Sequence, residues 1–223
     1  MTAALLDDSW ARVTRTVEAL SPREFLRPTR AEGWCVVDLL FHLLLDAQRA
    51  LMAMATPEPG PPTTGTAVYF RAASATDASR GVAELDHARF VRVAASAYAS
   101  PAGLVRHWRD TSAAACRAVA AADRARRVGT QGHVITVGDL TETLVVESTV
   151  HHLDLVVGLR DAPPASPAGL ALVRRVLAEQ LGRPLPVRWS DEEAALKGSG
   201  RVPLSAEDRA ELGELAAGFP LLG

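Results

Sequence analysis

The chain has 223 residues, with 24 Lys or Arg against 26 Asp or Glu and a formal net charge of −2. An apolar content of 48% is ordinary for a globular protein, and this length is enough to bury a substantial core. Balanced charge without a long basic run excludes an electrostatic nucleic-acid binder, and "VVDLLFHLLL" (36–45), the longest apolar run, is too short to span a bilayer.

The opening "MTAALLDDSWARVTRT" lacks the basic and apolar regions of a signal peptide, so the expected location is the cytoplasm. Residues 4–20 form a first amphipathic helix, with Trp10, Val13, Val17 and Leu20 at helical spacing. A connector with two prolines leads into a second helix over roughly residues 35–55. "TPEPGPPTTGT" (56–66) is a loop that allows a long crossover, and residues 77–99 read as a third helix. A fourth spans 100–123, with Ser100 as N-cap and Pro101 in its first position. "RRVGTQGHVITVGDL" breaks the helical period as a hairpin-like excursion. A fifth helix runs from about Asp139 to Gly158, followed by a helix near 167–182, a short strand "PVRW" and a helix beginning at Ser205. The expected architecture is mainly α: a four-helix bundle over 1–160 with a long crossover, and a small helical or α/β appendage over 161–223 packed on it. Cys35 and Cys116 are too few and too isolated for a disulfide framework, and read as small buried hydrophobes.

The fifth helix contains "VVESTVHHLDLVVGL" (145–159), apolar enough for the core yet carrying Glu147, His151, His152 and Asp154. Glu147 and His151 are four residues apart, on one face, and Asp154 continues the stripe. Leu140 and Leu144 share that stripe, so it points inward, while His152 belongs to another face. On the second helix His42 lies in an apolar run, with Asp38 and Asp46 one turn to either side. Two imidazoles and a carboxylate on facing bundle helices are a donor set that catalytic zinc uses, with a fourth position left for water or substrate. On spacing alone, hydrogen-bonded core polar residues are an equal alternative.

At these residues the sequence resembles the maleylpyruvate isomerase and mycothiol-dependent S-transferase family, within the DinB-like metalloprotein superfamily. The matching pieces are "PTRAEGWCVVDLLFHLL" (28–44), "TQGHVITVGDL" (130–140), "VVESTVHHLDL" (145–155) and the tail 195–222. The resemblance implies a DinB-like bundle binding a divalent metal, usually zinc, through His42, Glu147 and His151. Asp154 and Asp38 then become acceptors that hold imidazole N–H groups. It also implies mycothiol or another small thiol as co-substrate, and a small electrophile as partner. One departure stands out: the founding isomerase has a larger α/β domain after its bundle, whereas only about sixty residues follow Gly158 here.

The expected chemistry is S-transfer to an electrophile, or isomerisation by reversible addition of a metal-activated thiolate to a double bond. The same open position could hold hydroxide for hydrolysis, or the fold could serve an altered biosynthetic reaction. A non-catalytic sensor or binding module is the reading of another class, and would need a closed site, with His133 or His152 as fourth ligand. Among weaker candidates, Tyr69 and Arg71 could line the pocket mouth, and His133 could act near the metal as acid or base. His87 and His107 read as solvated, and Trp34 as packing at the start of the second helix without touching substrate. Zinc, nickel, iron and manganese all suit this donor set, and the sequence leaves monomer and homodimer equally open.

Overall fold

The structure is a computed structural model that describes residues 2–73, 78–159 and 161–222. Helix α1 (Thr2–Glu18) buries Leu6, Trp10, Val13 and Val17, the three- and four-residue spacing that places side chains on one face. A 3-10 turn (Glu24–Leu26) leads to α2 (Val36–Met54), where the Asp38 carboxylate accepts from the Cys35 backbone N–H at 3.0 Å. Leu39, Leu40, Leu43, Leu44, Ala47 and Ala50 give α2 a broad buried face. Each fully buried leucine there contributes about 1.5–3 kcal/mol over an exposed one.

The crossover contains two helices where one was expected over 77–99: α3 (Thr66–Ala73) and α4 (Ala78–Ser96). Residues 74–77 lie outside the described residues. The Thr66 hydroxyl donates to the Asp139 carboxylate at 3.1 Å, an anchor too distant in sequence to be read locally. Helix α4 packs on α2. Helix α5 (Pro101–Ala121) opens with Pro101 as expected, and its Trp108 meets Trp10 edge-on at 5.5 Å in the bundle centre.

The excursion is the expected hairpin, β1 (Arg127–Thr130) and β2 (His133–Thr136), antiparallel with Val128 opposite Ile135. Its two-residue turn places both Gln131 (φ 48°) and Gly132 (φ 79°) in the left-handed region, the geometry that matches the twist of the strands. Thr136 then caps α6 (Val137–Leu155), accepting from Asp139 N–H at 3.0 Å. Helices α1, α2, α5 and α6 form the bundle: α2 packs on α5, α1 on α5 and α6, and α2 on α6.

After the bundle come α7 (Pro167–Leu181), α8 (Asp191–Gly198) and α9 (Ala206–Leu212), each beginning with a capping serine: Ser166, Ser190 and Ser205. The segment expected as a strand, "PVRW", is a turn, because Trp189 buries its ring and donates Nε1–H to Asp208 at 2.6 Å. Helix α7 packs on α6 and α3, so these residues are helical and lie directly on the bundle. Among the described residues no helix is long and apolar enough to cross a membrane.

Asp208 ties this region together. Its carboxylate is almost fully buried and meets Arg188 at 2.5 Å and Lys197 at 3.0 Å besides Trp189. Burial alone would raise its pKa, but the Ser205 backbone N–H, Trp189 and Lys197 outweigh burial and hold it below the usual carboxylate range. Asp208→Ala should cost about 1–3 kcal/mol by chemical denaturation, since the buried Trp189 N–H loses its acceptor and Lys197 its nearest carboxylate. Because the folded pKa is depressed, the stabilisation is present above the unfolded value of about 3.9 and fades as pH falls towards the folded pKa. The gap between wild type and variant should therefore narrow in acid; a constant gap would mean the carboxylate's charge is not what stabilises the fold.

Candidate metal centre

Helices α2 and α6 bring His42, Glu147 and His151 together. One donor atom from each lies within 4.8 Å of the other two, and among the described residues they form a group able to hold a metal ion. His151 Nε2 is 3.4 Å from Glu147 Oε2, and the His42 and His151 rings meet edge-on at 4.9 Å. The face of α6 that carries them is the one the residue spacing indicated.

Behind His151 stands a support. Its Nδ1 is 3.0 Å from Asp154 Oδ2, and the same oxygen receives the Arg201 guanidinium at 3.1 Å. Asp154 has no exposed surface, and its charge is matched on both sides, which a buried carboxylate requires. Its expected place beside an imidazole is what the structure shows. Asp38 is a correction: it bonds the Cys35 backbone N–H and thiol, capping α2, because a carboxylate in the first turn is drawn to unpaired amides. The acid beside His42 is Asp46, whose Oδ2 is 3.8 Å from His42 Nε2, while its Oδ1 accepts from Arg49 at 2.8 Å.

The electrostatics follow from burial and these partners. Burial would lower the His151 pKa, but Asp154 and Glu147 outweigh it and raise it to about 9. Burial and then the charge of His151 push His42 down to about 3. Burial would raise Glu147, but its bond to His151 holds it below the ordinary value. Burial, then Glu147, push Asp46 up to about 7. The group thus offers a neutral imidazole, a carboxylate and an imidazole whose proton a cation would displace.

A cation suits these residues. The donors are the types that bind zinc and its neighbours, and Asp46 Oδ2 is buried without a hydrogen-bond partner beside them. Added positive charge would offset that cost.

The three donors line a cleft of about 530 Å³, together with Arg30, Trp34, Phe70 and Arg201. Trp34 packs at the start of α2 as expected and also lines the cleft, its ring 5.1 Å from that of His42. Phe70, not Tyr69 or Arg71, faces the cleft from α3. Adjacent residues on a helix diverge by about 100°. The Tyr69 hydroxyl donates to Gln131 on the hairpin, and Arg71 donates to the Gln180 carbonyl at 3.3 Å, so neither belongs to the cleft wall.

His133 is likewise elsewhere. It lines a separate cavity of about 720 Å³ with Arg49, His87 and Gln131. His152 is buried against the Thr16 hydroxyl at 3.1 Å, so neither histidine joins the three donors. His107 is near the surface with Nδ1 2.6 Å from the Tyr98 hydroxyl. His87, expected in solvent, is instead half-buried with Nε2 3.3 Å from His42 Nδ1, and burial lowers its pKa. Both cysteines are half-buried, less enclosed than expected.

Arg30, Asp46, His87 and Arg201 were not among the residues that the sequence singled out as candidates. Asp46 and His87 had local signals: Asp46 is one turn from His42, and His87 shares α4 spacing with the buried Val91 and Ala95. Arg201 had none, because its partner Asp154 is in another part of the chain.

Residues 6–156 match the family described as the mycothiol maleylpyruvate isomerase N-terminal domain. Two solved structures share the fold: the mycothiol-dependent maleylpyruvate isomerase, with a TM-score of 0.51, and a histidine-to-alanine variant of it, with 0.53. Each is 16% identical, over 81% of this chain and 68% of the other. No curated protein matches the sequence.

Chelator-stripped protein should be stabilised by zinc, by about 2.7 kcal/mol when free metal is a hundredfold above Kd. Thermal melts with and without the ion measure this. His42→Ala and Glu147→Ala should abolish the gain, and a gain retained in both variants would show that the ion sits elsewhere.

Proposed function

The chain belongs to the mycothiol maleylpyruvate isomerase N-terminal domain family, an enzyme family, and from that premise we propose that it is a metal-dependent enzyme that uses mycothiol or a related small thiol to isomerise or S-alkylate a small electrophile. The observation that carries this reading is the open cleft: three metal-type donors stand at the wall of a cavity of about 530 Å³. His42, Glu147 and His151 are the proposed ligands, with zinc as the ion favoured by two imidazoles and a carboxylate.

When bound, a divalent cation supplies one thing here: it draws a coordinated thiol's pKa down from near 8.5, so that the thiolate prevails at neutral pH. The remaining work falls to the chain. Asp154, backed by Arg201, accepts from His151 Nδ1 and so turns the Nε2 lone pair towards the cleft. Trp34 and Phe70 narrow the cleft and exclude water from the reacting carbon. Arg30 lines the same cleft and suits a carboxylate on the electrophile or on the thiol, while Arg201 is committed to Asp154 and the Ser199 carbonyl.

For isomerisation, the thiolate adds to one carbon of a conjugated double bond, and the electron pair moves to the conjugated carbonyl oxygen. The former double bond then rotates and the thiolate is expelled, so the thiol is regenerated and nothing is consumed. For S-transfer, the new carbon–sulfur bond stays and a leaving group departs with the electron pair. Both reactions ask the same of the protein, a thiolate beside an anchored electrophile.

Zinc-loaded protein, assayed by absorbance with maleylpyruvate as the test electrophile, should turn over only when mycothiol is present. Glu147→Gln should lower kcat/KM by more than about 100-fold, beyond the usual cost of losing a ligand's supporting partner. Turnover unaffected by omitting the thiol would overturn the thiol role and favour hydrolysis or another metal-assisted reaction.

A further inference from the structure

Helix α4 brings a fourth imidazole to the donor group. His87 lies one turn before Val91 and two turns before Ala95, both buried, so it is on the face that α4 turns towards α2. Phe90 meets Phe41 of α2 at 6.3 Å, and the Arg92 guanidinium donates to the Gly33 carbonyl, next to Trp34. These contacts fix where His87 stands. Its Nε2 is 3.3 Å from His42 Nδ1, the rings are T-shaped at 5.5 Å, and the Trp34 ring packs on both, 5.1 Å from His42 and 6.1 Å from His87.

A neutral imidazole has one N–H and one lone pair. Two imidazoles meeting nitrogen to nitrogen can therefore bond only if one gives the hydrogen and the other the lone pair. The other nitrogen of His42, Nε2, stands 3.8 Å from Asp46 Oδ2, beyond hydrogen-bond reach, so that carboxylate does not hold a proton on Nε2. With Nε2 free for a cation, the hydrogen belongs on Nδ1, and His87 Nε2 is the acceptor within reach.

We propose that His87 is a positioning residue: it accepts the His42 Nδ1–H, fixing the tautomer and the ring orientation in which His42 offers Nε2 to a metal ion. This rests on the reading that His42, Glu147 and His151 hold the ion. The two imidazole ligands then have unlike supports. His151 is backed by an anionic carboxylate that Arg201 compensates, His42 by a neutral ring. The role is separate from metal ligation, since His87 is outside the group of mutually close donors.

The test is zinc affinity, by competition with a chromophoric chelator, for wild type, His87→Ala, His87→Gln and Glu147→Gln, together with the visible spectrum of each cobalt(II)-loaded form. His87→Ala should weaken zinc binding about 10- to 100-fold and shift the cobalt bands, as His42 loses its orientation. His87→Gln, whose amide oxygen can accept the same hydrogen, should recover most of the affinity. Wild-type affinity with unshifted bands in His87→Ala would overturn the proposal, as would equal losses in the Ala and Gln variants, which would point to packing. If wild type bound the ion no better than Glu147→Gln, the ligand assignment itself would fall, and this inference with it.

Discussion

A line of charge-assisted bonds runs through the protein from Arg201 to Asp154, on to His151 and to Glu147, and the rest of the structure is arranged to permit it. Three of these groups lie on α6, whose other positions are mostly buried. A fully buried carboxylate with no counter-charge would neutralise or unfold its surroundings. Asp154 avoids this because a cation reaches it from outside the helix and an imidazole from within it. The alternation of cation, anion, imidazole and anion keeps each group beside an opposite or complementary one, and it ends at the cleft, where Glu147 is only half-buried.

That line couples the bundle to the residues after it. Arg201 follows α8, whose end is held by backbone bonds from Leu221 and Leu222 to the Gly198 carbonyl at 2.8 and 3.0 Å. Gly198 also lets α8 approach α7: a Cβ there would fall 2.5 Å from the Leu177 side chain. The division expected near residue 160 therefore runs between Asp154 and its guanidinium. Residues 1–160 taken alone would keep a buried carboxylate without its cation, a cost of about 3–5 kcal/mol when one partner of such a pair is removed. A bundle and an appendage can be told apart by packing, but the electrostatics of the centre span both.

What was legible in the sequence was what repeats or pairs over one or two helical turns. The bundle helices, the hairpin and the inward stripe of α6 all follow from spacing within about ten residues. What was not legible depended on how elements lie across one another. Arg71 and Phe70 are adjacent, and only the roll of α3 against α6 and α7 decides that Phe70 faces the cleft. Asp38 and Asp46 are both one turn from His42, but the first is captured by the amide at the helix start and only the second remains near the imidazole. "PVRW" has the β-branched and aromatic character of a strand, yet the buried Asp208 claims the Trp189 indole and bends the chain. For Phe70 and Trp189 the deciding contacts come from other elements, whereas for Asp38 the deciding partner is the local amide of Cys35.

The same contrast between local and long-range groups bears on what the centre is for. A structural metal site is closed by four protein ligands, each reaching the ion from the core. Here the fourth-ligand candidates, His133 and His152, are committed elsewhere, one to the second cavity and one to Thr16. The nearest extra imidazole, His87, addresses His42 and leaves the donor group at three. The remaining side of that group is bounded by the cleft. Fixed donors behind and open space in front leave room at the group for a further ligand. On that arrangement rests the proposal that a small thiol and an electrophile meet at this group.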